Sequence, residues 1–253
     1  MSAHEDIFES AGWYDRGINW DARLGREVPV LAEVFGPPGA GGLLDAGCGS
    51  GRHVVALAKQ GYAPVGLDAS ARMLELARDH AADAGVTARF VEATYAEAAR
   101  AGNGFDGAYC LGNALAATGT HEEAQRSLAA LASVLRPGGR LFVQILNFAK
   151  LRAERPAVRG PRVRREDDRE YVSARTYAFT GREVQVVNVT FWQEGGVWRQ
   201  HAHGGTLCAI EQGEIEAWCT AAGLAVEAEW GGYDRAGFDP GSSNDLIVVA
   251  RRR

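Results

Sequence analysis

Between Leu43 and Leu146, short apolar runs alternate with segments whose apolar residues recur at helical spacing. Leu43-Leu44 reads as the end of a buried strand, and residues 52–60 follow as a helix with Val54, Val55, Leu57 and Ala58 apolar. A second strand ends at Asp68, and Ser70 caps a helix running to Ala84 with Met73, Leu74 and Ala77 inward. Arg89–Glu92 and residues 105–111 are the next strands, the latter ending in Gly112-Asn113. Thr120 and Glu123 fit a capping box. The helix behind it places Ala124, Leu128, Leu131 and Leu135 on one face and stops at Pro137-Gly138-Gly139, and residues 141–146 form the fifth strand. Five strands joined by short helical crossovers predict a doubly wound α/β chain, its parallel sheet covered by helices on both faces.

The pattern breaks after residue 150. Seven arginines fall between Arg152 and Arg169, interleaved with Glu154, Glu166, Asp167 and Asp168, which reads as a solvated, mobile stretch or as a clamp for an anionic substrate. Three β-rich stretches follow, residues 170–179, 183–192 and 197–208, with turns at Gly181 and Glu194-Gly195-Gly196. They predict a small antiparallel sheet inserted after the fifth strand. A helix over residues 214–222, closed by Gly223, then leads to strands 224–230 and 245–250, joined by a fourteen-residue loop. The expected divisions are an N-terminal helical arm (1–36), a core (37–150), the insertion (151–210) and a C-terminal return to the core (211–253).

Composition narrows the function. The net charge of −5 lacks the basic footprint of a nucleic-acid binder. Cys48, Cys110, Cys208 and Cys219 have no C-x-x-C spacing, so neither a disulfide framework nor a metal site is expected. Residues 1–10 do not resemble a signal peptide, and no apolar run is long enough to span a membrane, which points to the cytoplasm. A homo-oligomer is compatible with this composition.

The chemistry concentrates at Leu43-Leu44-Asp45-Ala46-Gly47-Cys48-Gly49-Ser50-Gly51, with Asp68 at the end of the next strand. The glycines let the backbone turn sharply, and a ligand can lie directly on the turn. A carboxylate at Asp68 can accept from both hydroxyls of a ribose. The spacing is G-x-G-x-G rather than the dinucleotide G-x-G-x-x-G/A, and Arg52 stands where the third small residue would be.

With the preceding Asp45, this resembles motif I of the class I S-adenosylmethionine-dependent methyltransferases. The phrases Asn19-Trp20-Asp21-Ala22-Arg23 to Glu27, Tyr109-Cys110-Leu111-Gly112-Asn113, Leu135-Arg136-Pro137-Gly138-Gly139 and Leu146-Asn147-Phe148 extend the likeness to the glycine/sarcosine N-methyltransferase-like group. The resemblance implies a seven-stranded, mostly parallel Rossmann-like sheet with an antiparallel C-terminal strand. It implies S-adenosyl-L-methionine as cofactor and S-adenosyl-L-homocysteine as product. Asp45, Gly47, Gly49 and Gly51 would form the cofactor turn, with Gly47 and Gly49 under the methionine part. Asp68 would bind the ribose, with Ala69 beside the adenine. Leu111 would offer its carbonyl to the cofactor's amino group, and Arg23 would pair with its carboxylate. Tyr14 and Trp20 would lie over the site. After the third strand the family usually carries an acidic residue for the adenine amine. Here the stretch is Glu92-Ala93-Thr94-Tyr95, and Thr94 or a backbone carbonyl takes that place. Ala114 also stands where family members often have serine.

Methyl transfer from a sulfonium is an in-line displacement that needs alignment, exclusion of water and an unprotonated nucleophile, but no metal. Aromatic rings such as Tyr14, Trp13 and Phe148 suit a cationic donor, although core packing is the favoured explanation of Trp13 and Phe148. For a general base, His121 lies in the first turn of a capped helix, and His203 shares a strand face with His201. His121 also reads as a solvated helix-terminal histidine, and His53 as structural. The expected activity is N-methylation of a small-molecule amine. O-methylation, RNA or protein methylation and non-catalytic cofactor binding remain as alternatives. No Asn/Asp-Pro-Pro-Tyr/Phe sequence, the mark of base-amine methyltransferases, follows the fourth strand.

Overall fold

The computed structural model describes Asp15 and residues 18–39, 41–154, 157–166 and 169–253; Tyr14 and Trp13 lie outside the described residues. In chain order the elements are α1 (Trp20–Phe35), β1 (Leu43–Ala46), α2 (Arg52–Lys59), β2 (Pro64–Asp68), α3 (Ala71–Asp83), β3 (Arg89–Glu92), β4 (Phe105–Cys110), α4 (His121–Ser133), β5 (Leu135–Leu146) and α5 (Phe148–Ala153). Then come β6 (Ala157–Glu166), β7 (Arg169–Thr180), β8 (Glu183–Glu194), β9 (Val197–Cys208), α6 (Gln212–Ala221), β10 (Leu224–Trp230) and β11 (Asp245–Arg252). Short 3₁₀ segments at Tyr95–Ala101 and Ala116–Thr118 flank β4.

Seven strands form one sheet in the order β10-β11-β5-β4-β1-β2-β3. Its internal pairs are parallel up to β5, and β11 runs antiparallel between β5 and β10. Both faces are covered, which is why the central strands are nearly all apolar. Adjacent residues part to opposite sides. Leu43 packs with Val28, Leu31 and Leu57 of α1 and α2, whereas Leu44 packs with Leu128 and Leu131 of α4.

Two local expectations change. Leu135 belongs to β5, not to the helix: α4 ends at Ser133, and Leu135 pairs with Phe105 of β4. Pro137-Gly138-Gly139 therefore lies inside the strand. A Cβ at Gly139 would come within 2.9 Å of the Phe105 carbonyl oxygen, so only glycine lets the chains approach there. The capping box is half formed. The Thr120 hydroxyl accepts from the Glu123 N–H at 3.1 Å, but the Glu123 carboxylate turns to Arg126 at 2.5 Å.

The insertion is a four-stranded antiparallel sheet, β6-β7-β8-β9. Its first strand, Ala157–Glu166, is the arginine-rich stretch expected to be mobile; it pairs with β7 from Ala157↔Tyr177 to Glu166↔Arg169. Arg162 and Arg165 still face solvent, so the run is solvated as a strand rather than as a loop. Ala157, Tyr177, Val184 and Val186 join the main core together with Leu115, Ala116 and Phe148. The sheet is thereby rooted on the segments that leave the carboxyl ends of β4 and β5. No helix among the described residues is long and apolar enough to cross a membrane.

Candidate functional site

β1 delivers the chain into the turn at the carboxyl edge of the sheet. Gly47, Gly49 and Gly51 all have positive φ, at 77°, 52° and 72°. A Cβ on Gly47 would lie 2.5 Å from the Tyr95 hydroxyl oxygen and 2.8 Å from the Ala114 Cβ. One on Gly51 would strike Ala77 of α3 at 2.7 Å. At Gly49 the same Cβ would meet nothing within 4 Å. Gly51 thus serves helix packing, Gly47 serves contact with the loops after β3 and β4, and Gly49 faces open space.

Asp68 is fixed where β2 ends. Its Oδ2 accepts from the Gly49 N–H and its Oδ1 from the Ser70 N–H, each at 2.9 Å. Burial raises its pKa, and the Ser70, Gly49 and Ala69 N–H groups act the other way. Each oxygen keeps a lone pair for a further donor. Ala69, beside it, is exposed.

Asp45 is almost fully buried, and its Oδ2 has no hydrogen-bond partner among the described residues. Burial, reinforced by the charge of Asp68, pushes its pKa up to about 8, while the Tyr109 hydroxyl and Arg23 oppose the rise. A buried carboxyl with one unpartnered oxygen, two residues before the glycine turn begins, fits a cationic ligand, which would supply what the protein leaves out.

Helix α1 lays cationic and aromatic groups over this edge. The Asn19 side chain caps it, accepting from the Ala22 N–H at 3.1 Å. Arg23 pairs with Glu27 at 3.1 Å, lies 5.2 Å from the Trp20 ring centroid, and brings its Nη2 within 3.0 Å of where a Gly112 Cβ would stand. Glu27 also pairs with Arg26 at 2.7 Å and His53 at 2.9 Å. Burial alone would raise the Glu27 pKa, but His53, Arg23 and Arg26 outweigh it and bring it down to about 2. Asp15 ties the arm to the glycine turn. Its carboxylate takes the Ser50 hydroxyl at 2.5 Å and Arg52 at 2.6 Å, and its carbonyl takes the Trp20 indole N–H at 3.0 Å.

The other expected residues divide. The Leu111 carbonyl accepts from the Ala114 N–H at 3.2 Å, closing a turn that carries Gly112 and Asn113 at φ 66° and 69°. Thr94 is exposed, and its hydroxyl and N–H both donate to Glu97 Oε2 at 3.0 Å. His121 faces the insertion: its Nε2 bonds the Ala209 carbonyl at 2.7 Å and its ring packs edge-on to Trp218. His203 lies on β9 opposite Asn188, with its ring 5.5 Å from that of His201. Its Nδ1 is buried without a hydrogen-bond partner among the described residues. Burial, His201 and Arg175 lower its pKa. No group of three or more metal-ligating side chains occurs among the described residues.

Sequence reasoning missed three contributors. Tyr95 follows Thr94 directly, and its hydroxyl reaches the Gly47 turn. Asp15 gave no local signal. Gln144 did: it is the one polar residue in the run Phe142-Val143-Gln144-Ile145-Leu146.

Residues 43–139 match the family model of a methyltransferase domain. Over 136 residues the chain is 30% identical to a glycine/sarcosine N-methyltransferase of Aphanothece halophytica, covering 53% of this chain and 51% of that one. Over 127 residues it is 36% identical to a ubiquinone biosynthesis O-methyltransferase of Cronobacter sakazakii, covering 49% of each. The chain spans about half the length of these relatives. Its fold matches that of CalS10, an amino pentose methyltransferase from Micromonospora echinaspora, with a TM-score of 0.72 at 23% identity over 97% of this chain and 96% of that one. Residues 43–139 thus carry a methyltransferase domain, and the whole chain has the fold of S-adenosylmethionine-dependent methyltransferases.

Proposed function

We propose that the protein transfers the methyl group of S-adenosylmethionine to the nitrogen of a small-molecule amine. The observation that carries the reading is one assembly at the carboxyl edge of the sheet. There the open face of Gly49, the doubly held carboxylate of Asp68, the orphaned oxygen of Asp45 and the guanidinium of Arg23 surround the same turn. Asp68 would take the ribose hydroxyls and Arg23 the cofactor carboxylate. The Leu111 carbonyl, with a lone pair left, would take the amino group. The Thr94 hydroxyl oxygen, which accepts from the Glu97 N–H in a capping box, would have one lone pair left for the adenine amine. When bound, the cofactor supplies a methyl group on a positively charged sulfur; the protein's part is to align the acceptor and exclude water.

The insertion and α1 would close over that edge and form the acceptor pocket. His203, kept neutral by burial and by its cationic neighbour Arg175, is the better candidate to take the proton of an ammonium or a hydroxyl. His121 is engaged with the Ala209 carbonyl and holds the insertion to α4. Tyr14 stays a proposed lid residue.

The relatives include both N- and O-methyltransferases, so a hydroxyl acceptor is the second reading. The experiment is a screen of small amines and hydroxyl compounds with methyl-labelled cofactor, read by mass spectrometry. Label on an amine supports the first reading and label on oxygen the second. Label only on RNA or protein, or on nothing, rejects both.

A further inference from the structure

Gln144 is a buried amide in a strand whose other inward residues are apolar. Leaving such a group unbonded would be costly, so its partners matter. Its Nε2 donates to Asp245 Oδ1 at 2.8 Å, and its Oε1 accepts from the Gly112 N–H at 2.7 Å. An ionised carboxylate only accepts, so Asp245 dictates which end of the amide faces Gly112. The far side of the turn is held as well, because Asn113 Oδ1 accepts from the Leu146 N–H at 2.6 Å. The turn is therefore clamped to β5 at two consecutive residues, both in the left-handed region. It borders the cofactor loop directly: the Ala114 Cβ is 2.8 Å from where a Gly47 Cβ would be, and Arg23 lies over Gly112.

We propose that Gln144, oriented by Asp245, is a positioning residue that sets the 111–113 turn for the amino-acid end of the cofactor. This rests on the cofactor placement given above. The relay runs from the start of β11 through a side chain of β5 to a backbone N–H after β4, so three strands fix one carbonyl. The residue touches neither the ribose nor the adenine region around Asp68.

That separation supplies the test. S-adenosylhomocysteine carries the amino-acid end, whereas 5′-methylthioadenosine keeps the adenosine and lacks it. Gln144→Leu should weaken S-adenosylhomocysteine about tenfold, the scale of one lost hydrogen bond. It should leave 5′-methylthioadenosine within about twofold. Asp245→Asn offers Gln144 either end of an amide, so the Gly112 N–H meets a donor part of the time; a smaller, roughly threefold loss is expected for S-adenosylhomocysteine alone. This second variant decides the matter if Gln144→Leu does not fold. Equal weakening of both ligands, or no change in either, overturns the proposal. A wild-type protein that binds neither ligand overturns instead the cofactor placement on which it rests.

Discussion

Asp45 and Asp68 stand at the ends of neighbouring parallel strands, yet their surroundings differ. Asp68 receives two backbone N–H groups, whereas an oxygen of Asp45 receives none. Asp68→Ala should weaken S-adenosylhomocysteine binding by about 1.5–3 kcal/mol, the scale of hydrogen bonds to a charged group. Calorimetric titration checks this, and an unchanged affinity removes Asp68 from the site. Gly49→Val should abolish binding, because its branched side chain would enter the open space before the turn and φ is positive there. Asp45 makes a pH prediction. With its pKa raised to about 8, it holds a proton at neutral pH in the free protein. The cofactor is cationic and favours the ionised form, so binding releases a proton and affinity rises as the pH climbs toward about 8. Calorimetry in buffers of different ionisation enthalpy counts that proton, and Asp45→Asn should abolish the dependence.

At the scale of elements, α1 depends on its buried carboxylate. Glu27 has a folded pKa of about 2 against an ordinary 4.5, so its contribution to stability is fully present above 4.5 and is lost as pH falls toward 2. Glu27→Gln should flatten the acid limb of the stability profile, followed by chemical denaturation at a series of pH values. Arg23→Ala removes one of the two cations on Glu27 and is expected to cost about 1.5–3 kcal/mol of stability as well as cofactor affinity. The elements of the core were legible because each leaves a local mark. Ser70 caps α3 as expected, accepting from the Met73 N–H at 3.3 Å. Where a mark was ambiguous, long-range pairing decided: Leu135 continues the helical spacing of α4, but its partner Phe105 draws it into β5. The arginine run was read as charge, and its pairing to β7 was hidden because alternation carries no hydrophobic signal when both faces of a strand are largely solvated.

For the whole molecule, the insertion is rooted on segments that leave the carboxyl ends of β4 and β5, and Arg23 of α1 lies beside Gly112, which is the basis of the proposed closure. Hydrogen exchange should show α1 and residues 157–208 becoming protected when S-adenosylhomocysteine is added, with the far edge around β3 unaffected. Protection confined to residues 45–70 would argue against closure. Transferase activity, once an acceptor is found, should survive a strong chelator, since displacement at a sulfonium needs no Lewis acid.

The sequence by itself determined the alternation of strand and helix, the glycine turn, the position of Asp68 and the insertion, because these depend on residue type and spacing within one or two elements. Tertiary structure decided which polar groups serve one another. Asp15 reaches Ser50 and Arg52, thirty-five and thirty-seven residues away, and Gln144 joins Gly112 to Asp245 across three strands. It also decided which face of the inserted sheet is inward. Val184 and Val186 are buried while Val158, Val187 and Phe191 on the other face are exposed, and both faces carry apolar residues. Apolar character alone could not choose between them; contact with Leu115, Ala116 and Phe148 did. The physical reason is common to all three cases. A hydrogen bond or a buried face is defined by a partner, and partners distant in sequence meet only when the chain has folded.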